Sequence, residues 1–287
     1  MTKISLFLLL NIMTILGAIA QGEAYQFFTS KGKKIELKDV LKKSSEADIT
    51  FFGELHNNSL AHWLQLEVLK GMQAEIPDLV LGAEFFERDD QLSIDEWFSG
   101  FITEKNFEAE AKLWNNYSTD YRPLMRFAKE NNLEFIASNV PRKYASLVSR
   151  SGKVALDSLS DEAKRYFAQL PYEIDMDLPG YVAMKDMMHG APGNSDYMVQ
   201  AQALKDATMA ESLFSAISAK KKILHVNGSY HSKDGEGILW YLKREFPELN
   251  ILNIHTITQD SLDKLDPQYK ESGEIILVLP KDSHESY

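Results

Sequence analysis

Ile49-Thr50-Phe51-Phe52-Gly53-Glu54-Leu55-His56-Asn57-Asn58 is the stretch that decides the reading of this sequence. A short apolar run ends in glycine, and acid, imidazole and amide groups follow at once. Such a run, without polar alternation, predicts a strand covered on both faces. The same order recurs, with strands predicted at Asp48–Phe52, Leu79–Ala83, Glu134–Ser138, Lys222–Val226, Asn250–Ile257 and Glu274–Leu279. Helical patterns lie between them. Ser59 is the predicted cap of a helix carrying Leu60, Trp63, Leu64 and Met72 near the 3.6 period. Ser195 opens a longer one through Ile217, with Leu204, Met209, Leu213 and Phe214 on or near its buried stripe. Strands alternating with helices predict an α/β fold with a central, mostly parallel sheet flanked by helices. Tyr25–Phe28 and Lys33–Leu37 predict a small N-terminal hairpin. Residues 153–200 fit no strand–helix unit, because Pro171, Pro179, Gly180, Gly190, Pro192 and Gly193 interrupt them. They read as a helical insertion, or cap.

The polar residues fall where the strands end. The first strand runs into Glu54 and His56, the second into Glu84, and the third into Asn139 with Arg142 three residues on. The fourth ends in Asn227-Gly228-Ser229-Tyr230-His231. In open α/β sheets, ligands bind outside the carboxyl ends of the strands. If these four strands are parallel and adjacent, Glu54, His56, Glu84, Asn139, Arg142 and His231 converge on one crevice. Two carboxylates and two imidazoles suit either general acid–base chemistry or a divalent metal held by His56, Glu54, Glu84 and His231. Arg142 would stabilise an oxyanion or grip a carboxylate. Each residue also has a purely structural explanation, since a strand-end glutamate often caps a helix and a lone Gly-x-x-His is common. Two copies, Gly53 to His56 and Gly228 to His231, both following an apolar strand, are harder to explain that way. His62 is expected beside the site or paired with Glu67, and His225 as a core residue.

Composition narrows the remaining choices. The 287 residues suffice for a large buried core, and the net charge of −11 argues against nucleic acid as a partner. The absence of cysteine excludes disulfides, thiolate metal sites, a cysteine nucleophile, covalent CxxCH haem attachment and a lipidated cysteine anchor. Lys3, the apolar run Ile4–Ile19 and the small residues Ala18-Ile19-Ala20 have the order of a secretory signal peptide. A transmembrane anchor needs roughly 20 strongly apolar residues and explains the cleavage pattern less well. The expectation is therefore a signal over residues 1–20 and one domain over 21–287, exported to the periplasm or outside the cell, soluble, with no stable membrane anchor.

Five blocks together resemble the ChaN-like haem-binding uptake family. They are Phe52-Gly53-Glu54-Leu55-His56-Asn57-Asn58, Gly82-Ala83-Glu84-Phe85-Phe86, Asn139-Val140-Pro141-Arg142, Asp206-Ala207-Thr208-Met209-Ala210-Glu211 and Asn227-Gly228-Ser229-Tyr230-His231. They follow the family's order over roughly residues 48–245. The wider superfamily includes the Tiki proteases, the TraB/PrgY proteins and erythromycin esterases, in which the paired Gly-x-x-His and nearby glutamates mark an active site. The resemblance implies an α/β fold with an added helical region, export, and a role in haem or iron acquisition. It also implies haem bound between protomers of a homodimer, and a haem transporter or receptor as partner. Two departures stand out. There is no lipid-bearing cysteine, and Asn57-Asn58 replaces the commoner aspartate–asparagine.

Two functional readings result. As a haem carrier, the chain needs an apolar face and an axial ligand. The insertion supplies Tyr181, Met188 and His189 as haem candidates, among other tyrosines and methionines. As a metal-dependent hydrolase, it would use a metal-activated water, with Glu54 or Glu84 taking the proton and His56 and His231 as ligands or acid–base partners.

Overall fold

Two aromatic neighbours in one strand, Phe51 and Phe52, point to opposite faces of the sheet, and both are fully buried. Phe52 packs into the cluster that contains Leu64, Val68 and Met72, whereas Phe51 packs with Met209, Leu213 and Leu242. Burial of this kind contributes roughly 1.5–3 kcal/mol per side chain. It also forces helices onto both sides of the strand. The computed structural model describes residues 23–188 and 193–287. The expected signal over residues 1–20 lies outside the described residues, as does His189.

The strands are β1 (Gln26–Thr29), β2 (Lys34–Ile35), β3 (Ile49–Glu54), β4 (Val80–Glu87), β5 (Glu134–Asn139), β6 (Ile223–Gly228), β7 (Ile251–Gln259) and β8 (Ile275–Pro280). They form one sheet in the order β2-β1-β8-β7-β3-β6-β4-β5. From β3 to β8 all pairings are parallel, and β1 and β2 add an antiparallel hairpin at the β8 edge. The fold is therefore α/β with a mostly parallel sheet, as the strand pattern predicts. The hairpin's second strand is shorter than expected, because Leu37 already begins a helix.

The helices are α1 (Leu37–Glu46), α2 (Ser59–Glu75), α3 (Gln91–Phe98), α4 (Glu104–Glu110), α5 (Arg122–Glu130), α6 (Arg142–Ser151), α7 (Asp161–Lys164), α8 (Pro179–Met187), α9 (Ser195–Ser218) and α10 (Ile238–Glu245). Residues from α1 to α5 share the cluster on one face, and α9 and α10 cover the other. The cap of α2 is Asn58, not Ser59: its side chain accepts from the Leu60 and Ala61 amides at 3.1 Å. Trp63 turns partly to solvent, and Ala61, His62, Leu64 and Gln65 take the buried face of α2.

The insertion is helical but loosely so: a short 3-10 turn, α7, α8 and the first turn of α9 alternate with irregular chain. It is fastened to α9 by two apolar clusters. Phe167, Ala168 and Tyr172 meet Leu204 and Ala207, and Tyr181 meets Val199 and Ala203. Polar clamps add to these, since Thr208 accepts from the Ala168 amide at 3.1 Å and Glu211 from the Gln169 amide at 2.7 Å. Thr208 and Glu211 thereby acquire a structural role.

Gly53 lets β3 pass between β7 and the turn after β6. A Cβ there would stand 2.9 Å from the Ser229 Cα and 3.1 Å from the Ile254 carbonyl oxygen, both backbone atoms. Gly53→Ala should destabilise the protein by about 1–3 kcal/mol through overpacking. The check is urea denaturation, in which the midpoint should fall with little change in slope.

Candidate functional site

Parallel and adjacent, β3, β6, β4 and β5 bring their carboxyl ends together, and the strand-end polar residues meet there. The strands run further than their apolar cores, so that Glu54, Glu84 and Asn227 lie within them, Glu84 at the register shift of β4 between Ala83 and Glu87. Glu54 is buried at the end of β3. One carboxylate oxygen takes the His56 Nδ1–H at 2.9 Å and the Tyr121 hydroxyl at 2.5 Å, while the other accepts from the Gln65 amide and lies 3.4 Å from His62. Burial alone would raise the Glu54 pKa. The His62 and His56 rings and the hydrogen bonds outweigh it and hold the group below the usual carboxylate range. His56 is opposed by burial too, but its bond to Glu54 and the field of Glu84 raise its pKa. The ring stands edge-on to Trp114 at 4.9 Å between centroids.

The second half is a buried ion triad. His231 lies between two carboxylates, with Nε2 3.2 Å from Glu84 and Nδ1 2.5 Å from Asp206. Burial would lower the His231 pKa, yet the two flanking charges prevail and push it up to about 10. The ring is an imidazolium that donates from both nitrogens. Burial likewise opposes the Glu84 charge, and His231 most of all, helped by His56 and Lys205, holds it well below its ordinary range. Its second oxygen accepts the Gly228 amide at 2.7 Å, taking up the donor just past the last β4–β6 pair, Ala83 with Val226. Behind the triad, the Tyr181 hydroxyl donates to Asp206 at 2.8 Å.

The two halves touch at Gly228. A Cβ on that residue would lie 2.6 Å from His56 Cε1 and Nε2, so only glycine leaves room for the ring. An open cleft of about 500 Å³ faces Glu54, His56, Glu84, His231, Gln202 and Lys205, with Tyr287 at its rim. The C-terminal segment steadies the loop that carries His56: the Ser286 amide donates to the Asn57 carbonyl at 2.7 Å, and the Asn58 side chain to Ser283 at 2.6 Å.

Glu54, His56, Glu84 and His231 thus come together. Asn139 lies beside them as a brace, donating to the Glu84 carbonyl at 3.1 Å. Arg142 does not join them; it is exposed at the start of α6, with no hydrogen bond or ion pair to any described residue. Among the described residues no group of three or more acids and histidines is arranged to hold an ion. His231 directs both ring nitrogens at carboxylates, Nε2 at Glu84 and Nδ1 at Asp206. Of the haem candidates, Tyr181 points inward to Asp206, and burial with that carboxylate raises its pKa strongly. Met188 is half-buried at the end of α8. His62 binds Gln65 and the His56 carbonyl, whereas Glu67 pairs with Lys70. His225 is a core residue held by Ser138 and Asn227, its pKa pushed down to about 4 by burial.

Sequence reasoning missed Asp206, Gln65, Tyr121 and Lys205 as members of the site. Asp206 had a readable signal: on α9 it shares its stripe with the buried Val199, Ala203, Ala210 and Leu213. Gln65 and Tyr121 carry none, because glutamine on a helix and tyrosine before one are ordinary.

The family model for haem-binding uptake proteins of the Tiki superfamily, ChaN, matches residues 40–242. The chain belongs to the ChaN haem-binding uptake family. Among solved structures, ChaN of Campylobacter jejuni, described with cofacial heme binding, superposes with a TM-score of 0.66 at 15% identity, covering 90% of this chain and 98% of that one. A succinoglycan biosynthesis protein gives 0.50 at 13% identity, covering 78% and 69%. An erythromycin esterase variant gives 0.49 at 10% identity, covering 81% and 77%. At such identities the likeness concerns the fold. No curated protein sequence matches the chain. In this ChaN-family member, no helix among the described residues is long and apolar enough to cross a membrane.

The triad makes stability pH-dependent. The His231 pKa is raised from 6.5 to about 10, so its contribution is complete below pH 6.5 and is lost as the pH rises through 10. The lowered Glu84 pKa acts at the other end, its contribution present above its ordinary 4.5 and lost as the pH falls. Asp206→Asn should cost about 3–5 kcal/mol at pH 7 by leaving the imidazolium short of a charge. Urea midpoints from pH 6 to 10, with NMR titration of the His231 ring, check this: the wild-type ring should titrate near 10 and the variant's below it.

Proposed function

We propose that the chain binds haem on the outer face of its helical cap and serves haem or iron acquisition after export. The observation that carries this reading is the apolar surface of the two cap helices, in a chain of the haem-binding uptake family. Met187 is 72% exposed, Val182 41% and Met198 37%, on α8 and the first turns of α9. The Lys185–Asp196 ion pair, at 2.7 Å, ties the two helices together. Soft, flexible methionines next to valine suit a flat porphyrin face.

The Tyr181 hydroxyl is engaged with Asp206 and buried. Met188 and the adjoining His189 are therefore the ligands we assign to the iron. A second copy of the chain would bring its own haem against the first; cofacial heme binding is described for ChaN of Campylobacter jejuni. Delivery to a transporter or receptor would follow. The signal-like order of residues 1–20 supports export, and cleavage after Ala20 is the expected N-terminal sequencing result. The hydrolase reading is not favoured, because Glu54 and Glu84, which would have to take the proton, are already engaged by donors of the chain.

Titration of the protein with hemin should give a saturable Soret shift. Tyr181→Phe should leave that shift in place, since its hydroxyl serves Asp206. His189→Ala or Met188→Ala should change the spectrum or abolish it. A wild-type titration with no saturable shift overturns the haem reading.

A further inference from the structure

Charge in the strand-end cleft is arranged by depth. Each buried carboxylate already has its donors: Glu54 has His56, Tyr121 and Gln65, Glu84 has His231 and the Gly228 amide, and Asp206 has His231 and Tyr181. Two groups nearer the opening, Lys205 and the His56 ring, are not matched in this way among the described residues. Lys205 lines the cleft, and its side chain makes no hydrogen bond or ion pair with a described residue; it reaches Glu84 only through its field. His56 commits Nδ1 to Glu54, which leaves Nε2 unbonded on a side chain that is 39% exposed. The carboxylates are buried and matched, while Lys205 and the His56 Nε2 are left toward the opening.

A second feature joins this cleft to the cap. Met198, Gln202 and Lys205 stand at i, i+4 and i+7 on α9, a single stripe along the helix. Its rise is on the order of 10 Å, comparable with the width of a porphyrin. One end is the exposed methionine at the cap and the other is the lysine in the cleft. Haem has the same polarity across its plane, with an apolar edge opposite two propionate carboxylates.

Resting on the haem reading above, we propose that the propionate edge of the bound haem enters the strand-end cleft, with Lys205 and His56 as its cationic seat. The apolar edge then lies toward Met198 and the cap. The cluster marked by the paired Gly-x-x-His thus acts as an anion seat, its buried triad holding the walls in place while the outward donors meet the ligand. Partly desolvated charge-assisted hydrogen bonds of this kind are stronger than neutral ones.

The test compares hemin with hemin dimethyl ester, in which both propionates are blocked, by Soret titration of the full chain. Wild type should bind hemin about tenfold more tightly than the ester. Lys205→Ala should lose most of that difference by weakening hemin alone, Lys205→Glu should weaken it further, and Lys205→Arg should keep it. Equal weakening of hemin and ester in Lys205→Ala, or no preference for hemin in wild type, overturns the propionate seat while leaving haem binding intact. Absence of saturable binding for both ligands overturns the haem reading and this inference with it. Circular dichroism melts of each variant distinguish a lost contact from a lost fold.

Discussion

One buried cation, the His231 imidazolium, holds the molecule's working end together. Burying a charge without a partner is costly, and burying it between two carboxylates is tolerable only when all three are held in register. Glu84 reaches His231 from β4, and Asp206 reaches it from α9. His231 itself follows β6, and Tyr181 supports Asp206 from α8. Two strand ends, the long helix and the cap are thereby locked to a single ring. The insertion is consequently part of the site, although it contributes no side chain that touches the cleft floor.

Glu54 and His56 follow the same rule more openly. Their carboxylate is buried and fully matched, but the imidazole stays half in the cleft, kept there by Trp114 on one side and by the missing side chain of Gly228 on the other. The pairing of each histidine with carboxylates also decides the chemistry. A set of residues that looks like a metal site in sequence is, in space, a set of ion pairs.

Much of this was legible beforehand, for reasons that differ by residue. Runs such as Ile49–Phe52 and Ile223–Val226 could only be strands covered twice, and six such strands with helices between them imply a parallel sheet. Glu54, His56, Glu84 and His231 were legible because each follows such a run. Arg142 followed one equally well and turned outward, since the first residue of a helix can point anywhere the packing allows. Asp206 was legible as part of a family block but not as a member of the site, because its partner is 25 residues away. Ser59 looked like a cap, and Asn58 is the cap, a one-residue difference settled by which side-chain oxygen reaches the amides.

By itself the sequence determined the fold class, the strand ends that carry polar groups, and a family membership spread over five short blocks. These depend on periodicity and order along the chain, which local residue chemistry dictates. Only the tertiary structure decided which acid faces which base, that Tyr181 and Asp206 stand behind His231, and that the Lys205 side chain pairs with no described residue. Those outcomes depend on distances of a few ångströms between segments far apart in the chain, where the cost of an unmatched buried charge selects the pairing.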